Sequence, residues 1–187
     1  GNWQVTVALR NGHQVIGIWP GLKERVAGVA IDVGSTTMSA HLCDMVTGDV
    51  LASTGAMNPQ IRFGEDLMSR VSSGIMNPGG HLEMTTAVID GLQKLISGAA
   101  EQAGLDAEDV VEIVLVGNPV MPHLLLGIDP VELGGAPFAL AVDTAVEIRA
   151  SELGLGVNKG ARVYVLPCIA GHVGADAAGV VLAEAPQ

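Results

Sequence analysis

Ala30-Ile31-Asp32-Val33-Gly34-Ser35-Thr36-Thr37 is the stretch that decides the fold. Residues 26–33 are a continuous, β-branched apolar run, as expected of a strand covered on both faces. The run carries a carboxylate near its end and passes at once into a turn of one glycine and three hydroxyl residues. Such a turn offers N–H and O–H donors to an anion. Gly34 can take a positive φ and so let a phosphate approach the backbone. Asp32 is placed to hold a magnesium ion through its waters, since Mg²⁺ sits among phosphates with few carboxylates. No Gly-x-x-x-x-Gly-Lys-Ser/Thr string occurs, so this is not a Walker loop. Taken alone, the turn reads more readily as an ordinary hairpin turn, and its place between the first two strands of a β-β-β-α-β unit shifts the reading to phosphate contact.

Residues 38–43 and 50–56 read as two further strands around the polar turn 44–49. Val88, Ile89, Leu92, Leu95, Ile96, Ala99 and Ala103 recur at helical spacing, with Gly104 at the C-cap position. Residues 110–116 are another buried strand, closed by Gly117-Asn118-Pro119. The order β-β-β-α-β predicts a mixed sheet in which the fourth strand returns across a helix to lie parallel to a neighbour. Residues 58–80 are rich in Gly, Pro, Asn and Ser and read as a surface excursion around a short helix at 65–71. Beyond the fourth strand, a short helix holds residues 124–126 and 130–137 is a loop. Residues 142–153 suit strand or helix equally, 161–166 is a fifth strand, and 174–184 is a helix whose Ala175, Ala177, Ala178 and Gly179 permit close packing.

Ahead of this unit, Trp3, Val5, Val7 and Leu9 alternate with polar residues. Asn11-Gly12 suits a two-residue turn, and Val15, Ile16, Ile18 and Trp19 return as a second strand. Pro20-Gly21 and Lys23-Glu24-Arg25 mark a boundary. The expected organisation is a hairpin from a linker or middle region over 1–24 and an α/β lobe over 25–187.

The net charge of −11, with only 9 Lys and Arg, leaves no basic footprint for nucleic acid or an anionic membrane. Mean hydropathy is +0.44, yet every long apolar stretch is interrupted before the roughly 20 residues a spanning helix needs. With no basic-then-apolar leader, a cytoplasmic protein is expected. Cys43 and Cys168 lie outside any Cys-x-x-Cys spacing and read as two buried structural thiols.

The string from Ala30 to Thr37 resembles the phosphate-1 motif of the acetate kinase, sugar kinase, Hsp70 and actin superfamily, and Ala175-Asp176-Ala177-Ala178-Gly179 resembles its connecting helix. More narrowly, the chain resembles the reductive activators of corrinoid proteins. The residues concerned are Asn58-Pro59-Gln60, Phe63-Gly64-Glu65-Asp66, Ser69-Arg70, Val116-Gly117-Asn118-Pro119, His123 to Gly127, Leu166-Pro167 and Gly171 to Asp176. The resemblance implies an RNase H-like α/β lobe, the first of two in an actin/Hsp70-type ATPase, with a mixed sheet, flanking helices and a preceding hairpin. It implies ATP and Mg as ligands and a corrinoid protein as partner, returned from Co(II) to Co(I) for methyl transfer. It also implies a [2Fe-2S] cluster on a domain absent from this chain. The nucleotide residues would be Asp32, Gly34, Ser35, Thr36 and Thr37. Asn118, at a strand end, reads equally as facing the cleft or as a structural turn, and Asp176 as a cleft or partner residue or as a carboxylate that favours the start of the last helix. Measured against that pattern the chain reads as an excised segment without the second lobe, inactive alone. The 49% hydrophobic content suits an uncovered face that self-associates, as in a homodimer.

Two other functional classes stay open at this point: a small-molecule kinase of the same superfamily, and a noncatalytic interaction module with a purely structural turn. His123 and His172, beside apolar residues, read as hydrogen-bonded core or interface histidines. Arg62, Glu65, Asp66 and Arg70 read as an exposed, salt-bridged helix, with a partner-facing patch as the second choice.

Overall fold

A computed structural model describes residues 4–184. Trp3 and residues 185–187 lie outside them. Strands β1 (Val5–Arg10) and β2 (Gln14–Pro20) pair antiparallel, and β3 (Ala27–Val33), β4 (Thr37–Asp44) and β5 (Val50–Met57) form the meander. Helices α1 (Leu67–Met76) and α2 (Gly80–Gln102) follow, then β6 (Val110–Gly117), α3 (Val120–Leu125), β7 (Val146–Arg149), β8 (Arg162–Val165) and α4 (Ala175–Glu184). The main sheet has the order β5-β4-β3-β6-β8-β7, with β3, β6 and β8 mutually parallel and the remaining pairings antiparallel. The predicted crossover is present: α2 carries the chain from the meander to β6, which lies beside β3.

The ambiguous residues 142–153 contain both elements, β7 and then a 3₁₀ turn at Ala150–Leu153, so the sheet has six strands rather than five. The apolar pattern of β3 also misleads on one point. Ala27, Val29, Ile31 and Val33 are sealed against the core, whereas Ala30 and Asp32 on the other face are exposed, so the strand end is open to ligand on that side.

α2 is long because its buried residues Met84, Val88, Leu92, Leu95, Ile96 and Ala99 hold one face over β4 and β5. It ends where Gly104 takes a left-handed φ of 69° and Leu105 N–H donates to Ala100 O at 2.9 Å. The same buried side chains join Ile31, Met38, Leu42 and Ile113 in a single core cluster. Across the sheet, α4 packs close to β6: a Cβ on Gly179 would stand 3.2 Å from Val116 Cγ1.

The N-terminal hairpin differs from expectation in its turn and its placement. Asn11, Gly12 and His13 form a three-residue loop between paired Arg10 and Gln14, with Asn11 (φ 53°) and Gly12 (φ 76°) both left-handed. A bulge leaves Ile16 between the pairs Ala8–Gly17 and Leu9–Val15 and turns it inward, so that Ile16 is buried. Its carbonyl lies against Gly160, where a Cβ would come within 2.3 Å of the oxygen. Arg10 reaches Glu112 (3.3 Å) and Glu147 (2.7 Å), and Lys23 reaches the buried Asp109 (2.7 Å). The hairpin therefore lies docked on the main sheet.

Segment 58–80 is only partly a surface excursion: residues 75–79 are exposed, but its first half turns inward. Asn58, Gln60 and Arg70 are among the least exposed residues of the protein, each at 0%. The 3₁₀ turn Pro59–Phe63 drives Asn58 and Gln60 under the sheet end, and the Asp66–Ser69 capping box starts α1 so that Arg70 follows them inward. The helix read as an exposed ion-paired surface thus presents its arginine to the interior.

Candidate functional site

The C-terminal ends of the parallel strands β3 and β6 carry the predicted residues to one place. Asp32 is the penultimate residue of β3, Gly34-Ser35-Thr36 turn the chain, and Thr37 opens β4. Asn118 follows β6, and its Nδ2 donates to Ser35 Oγ at 2.9 Å while its Oδ1 accepts from Val120 N–H at 3.1 Å. It thus fastens the β3 turn to the start of α3. Asp176 lies in the first turn of α4, close by: a Cβ on Gly174 would be 2.5 Å from Gly117 O and 2.6 Å from both Asn118 Cα and Asp176 Oδ1.

The turn is held from behind by residues that the composition of segment 58–80 concealed. Asn58 Nδ2 donates to Gly34 O (2.8 Å), Arg70 Nη2 donates to Ser35 O, and Asn58 N–H donates to Thr36 O (2.8 Å). In a trans peptide the N–H points opposite to the preceding carbonyl. With the Gly34 and Ser35 carbonyls drawn toward Asn58 and Arg70, the N–H groups of Ser35 and Thr36 are turned to the other side. Successive amides so directed make an anion cradle. Gly34 is required here for a different reason from the one anticipated. Its φ is not among the positive values, and a Cβ at this position would meet Thr37 O at 2.6 Å.

Asp32 is exposed, yet the surrounding wall removes part of its hydration and Asp176 repels it, so its pKa is raised above the ordinary carboxylate value, burial being the larger cause. Among the described residues no three His, Cys, Asp or Glu side chains converge as a metal-binding group. One or two carboxylates beside a turn of outward-facing amides nevertheless suit a hydrated Mg²⁺, which keeps most of its waters. Cys168 is buried, and its thiol pKa is raised by that burial, but Cys43 is only half-buried, so the pair of buried thiols becomes one.

His123 is a core residue, as anticipated: it is 1% exposed, with Nδ1 2.7 Å from Pro119 O and Nε2 3.0 Å from Ala141 N. The ring therefore donates from Nδ1 and accepts at Nε2, which is the neutral tautomer. Burial lowers its pKa below 6.5. The unfolded chain takes up this proton below about pH 6.5 and the folded one does not, so stability is fully present above that pH and falls progressively below it. Wild type is expected to lose more stability between pH 7.5 and pH 5.5 than His123→Gln, as read from urea midpoints at the two pH values. His172 is exposed, edge-on to Phe138 at 5.9 Å.

Two known proteins are similar to most of this chain. The "Corrinoid activation enzyme RamQ" of Eubacterium limosum is 30% identical over 174 residues, covering 92% of this chain and 29% of that protein. A solved structure described as "Reductive activator for corrinoid,iron-sulfur protein" superposes with a TM-score of 0.85 at 33% identity, covering 95% of this chain and 29% of its own. The chain thus spans under a third of the length of each. The profile of the RACo middle region matches residues 27–185, from the first residue of β3 past the end of α4, and the chain belongs to that family.

Proposed function

We propose that the chain is the phosphate-binding part of an ATP-dependent reductive activator of corrinoid proteins. The observation that carries this reading is the inward anchoring of the Gly34, Ser35 and Thr36 carbonyls, which turns the Ser35 and Thr36 amides outward beside Asp32. Mg-ATP, when bound, supplies the free energy that helps place one electron on a Co(II) corrinoid. Within this chain, the Ser35 and Thr36 N–H groups and the Thr36 and Thr37 hydroxyls receive phosphate oxygens, and Asp32 orders water around the metal. Asn118 keeps the Ser35 hydroxyl in register, and Asp176 adds a second carboxylate at the mouth. The [2Fe-2S] centre and the electron path belong to other parts of the full-length protein, since two separated cysteines cannot replace four cluster ligands. The kinase reading is not favoured, because both relatives named above are corrinoid activators.

Calorimetry of Mg-ATP binding to the full-length protein tests this directly. Asp32→Asn is expected to weaken binding tenfold or more, about 1.4 kcal/mol. The same substitution is expected not to lower nucleotide-free stability. A carboxylate whose folded pKa is raised contributes stability that is fully present below its unfolded pKa and lost as pH rises through the folded one, so at neutral pH the ionised Asp32 adds none. Unchanged affinity would remove Asp32 from the site. No binding by wild type would replace the ATPase reading with that of an interaction module.

A further inference from the structure

Arg70 is a side chain for which bracing the turn is an incomplete explanation. Its guanidinium is 0% exposed and donates to Gly64 O (3.1 Å), Gln60 Oε1 (3.2 Å) and Ser35 O, with Met121 Sδ at 3.6 Å. These partners satisfy its hydrogen bonds but leave its charge uncompensated. Among the described residues no carboxylate lies within ion-pair distance of it. Asp66, the acidic group that acts on it, is exposed and committed to Ser69. Burying an unpaired cation is costly, and a neutral donor such as glutamine would brace a carbonyl without that cost. The cost is consistent with a pKa lowered by burial to about 10.

The charge sits in a chain of net −11, behind a turn whose mouth holds Asp32 and Asp176, an environment that repels polyanions. We propose that Arg70 is a positioning residue that makes the turn selective for the polyphosphate end of its ligand, its buried, unpaired positive charge offsetting the acidic mouth. The Ser35–Thr36 peptide links the two sides. Arg70 holds its carbonyl, the Thr36 N–H lies on the opposite edge, and hydrogen bonds in series polarise one another. This proposal rests on the phosphate-turn reading and adds to it the source of the site's charge preference.

The test compares wild type, Arg70→Lys, Arg70→Gln and Asp32→Asn in the full-length protein, titrated with Mg-ATP and with adenosine. Arg70→Gln is expected to weaken Mg-ATP tenfold or more while changing adenosine less than twofold, and Arg70→Lys to recover most of the loss. Equal losses for both ligands, or equal weakness of the Lys and Gln variants, would mean that Arg70 acts through shape alone and would overturn the proposal. If Asp32→Asn weakens Mg-ATP and Arg70→Gln does not, only the Arg70 proposal falls. If neither does, the phosphate reading falls with it. Should Arg70→Gln not fold, the wild-type Arg70 Nε–H resonance, assigned by its loss in Arg70→Lys, decides: it is expected to shift on adding pyrophosphate, and a stationary signal would refute the proposal.

Discussion

Leu92→Ala is expected to destabilise this lobe by about 2–5 kcal/mol, the range for a fully buried leucine whose cavity cannot collapse. Leu92 is 0% exposed at the middle of α2, and its core cluster includes Ile31, Met38 and Ile96. Neither wall moves easily. One is a helix of 23 residues, and the other is a strand meander paired along its length. Leu82, near the start of the same helix, is 55% exposed, and Leu82→Ala is expected to stay within about 0.5 kcal/mol of wild type. Urea unfolding of the full-length protein, followed by far-ultraviolet circular dichroism, separates the two. Equal effects would mean that α2 does not carry the core.

Gly174→Ala is the second large effect, and it bears on the site more than on the core. Its added Cβ would meet Gly117 O at 2.5 Å, with Asn118 Cα and Asp176 Oδ1 at 2.6 Å, and two of those three atoms are backbone. No rotamer change relieves such contacts. The start of α4 must move off the end of β6, at a cost of about 1–3 kcal/mol as for other overpacked interiors. That movement carries Asp176 away and disturbs Asn118, which holds Ser35 Oγ at 2.9 Å. Mg-ATP affinity is expected to fall tenfold or more, while far-ultraviolet dichroism stays native. Retention of full affinity would show that the β6–α4 junction does not set the site.

The strands of the meander, helix α2 and the turn from Asp32 to Thr37 were legible because each has a local signature: an apolar run, a 3.6-residue period, or a strand ending in a carboxylate and small polar residues. Those signatures place Asp32, Ser35, Asn118 and Asp176 at element ends, and the parallel pairing of β3 with β6 collects the ends at one edge. The hairpin was legible as two strands, but not its bulge or docking. Both depend on distant residues, Gly160 against Ile16 and Glu112 against Arg10, each more than about a hundred positions along the chain, where local pattern does not reach.

By itself the sequence determined the strand meander, helix α2, the mixed sheet and the position of the turn from Asp32 to Thr37, because periodicity and turn chemistry act between near neighbours. Only the tertiary structure decided that Asn58, Gln60 and Arg70 are interior. A polar residue is buried when distant partners satisfy it, and for Arg70 these include the Ser35 carbonyl, 35 residues earlier. No local pattern marks such a residue, so the segment that reads as loop and surface helix supplies the support on which the turn from Gly34 to Thr36 rests.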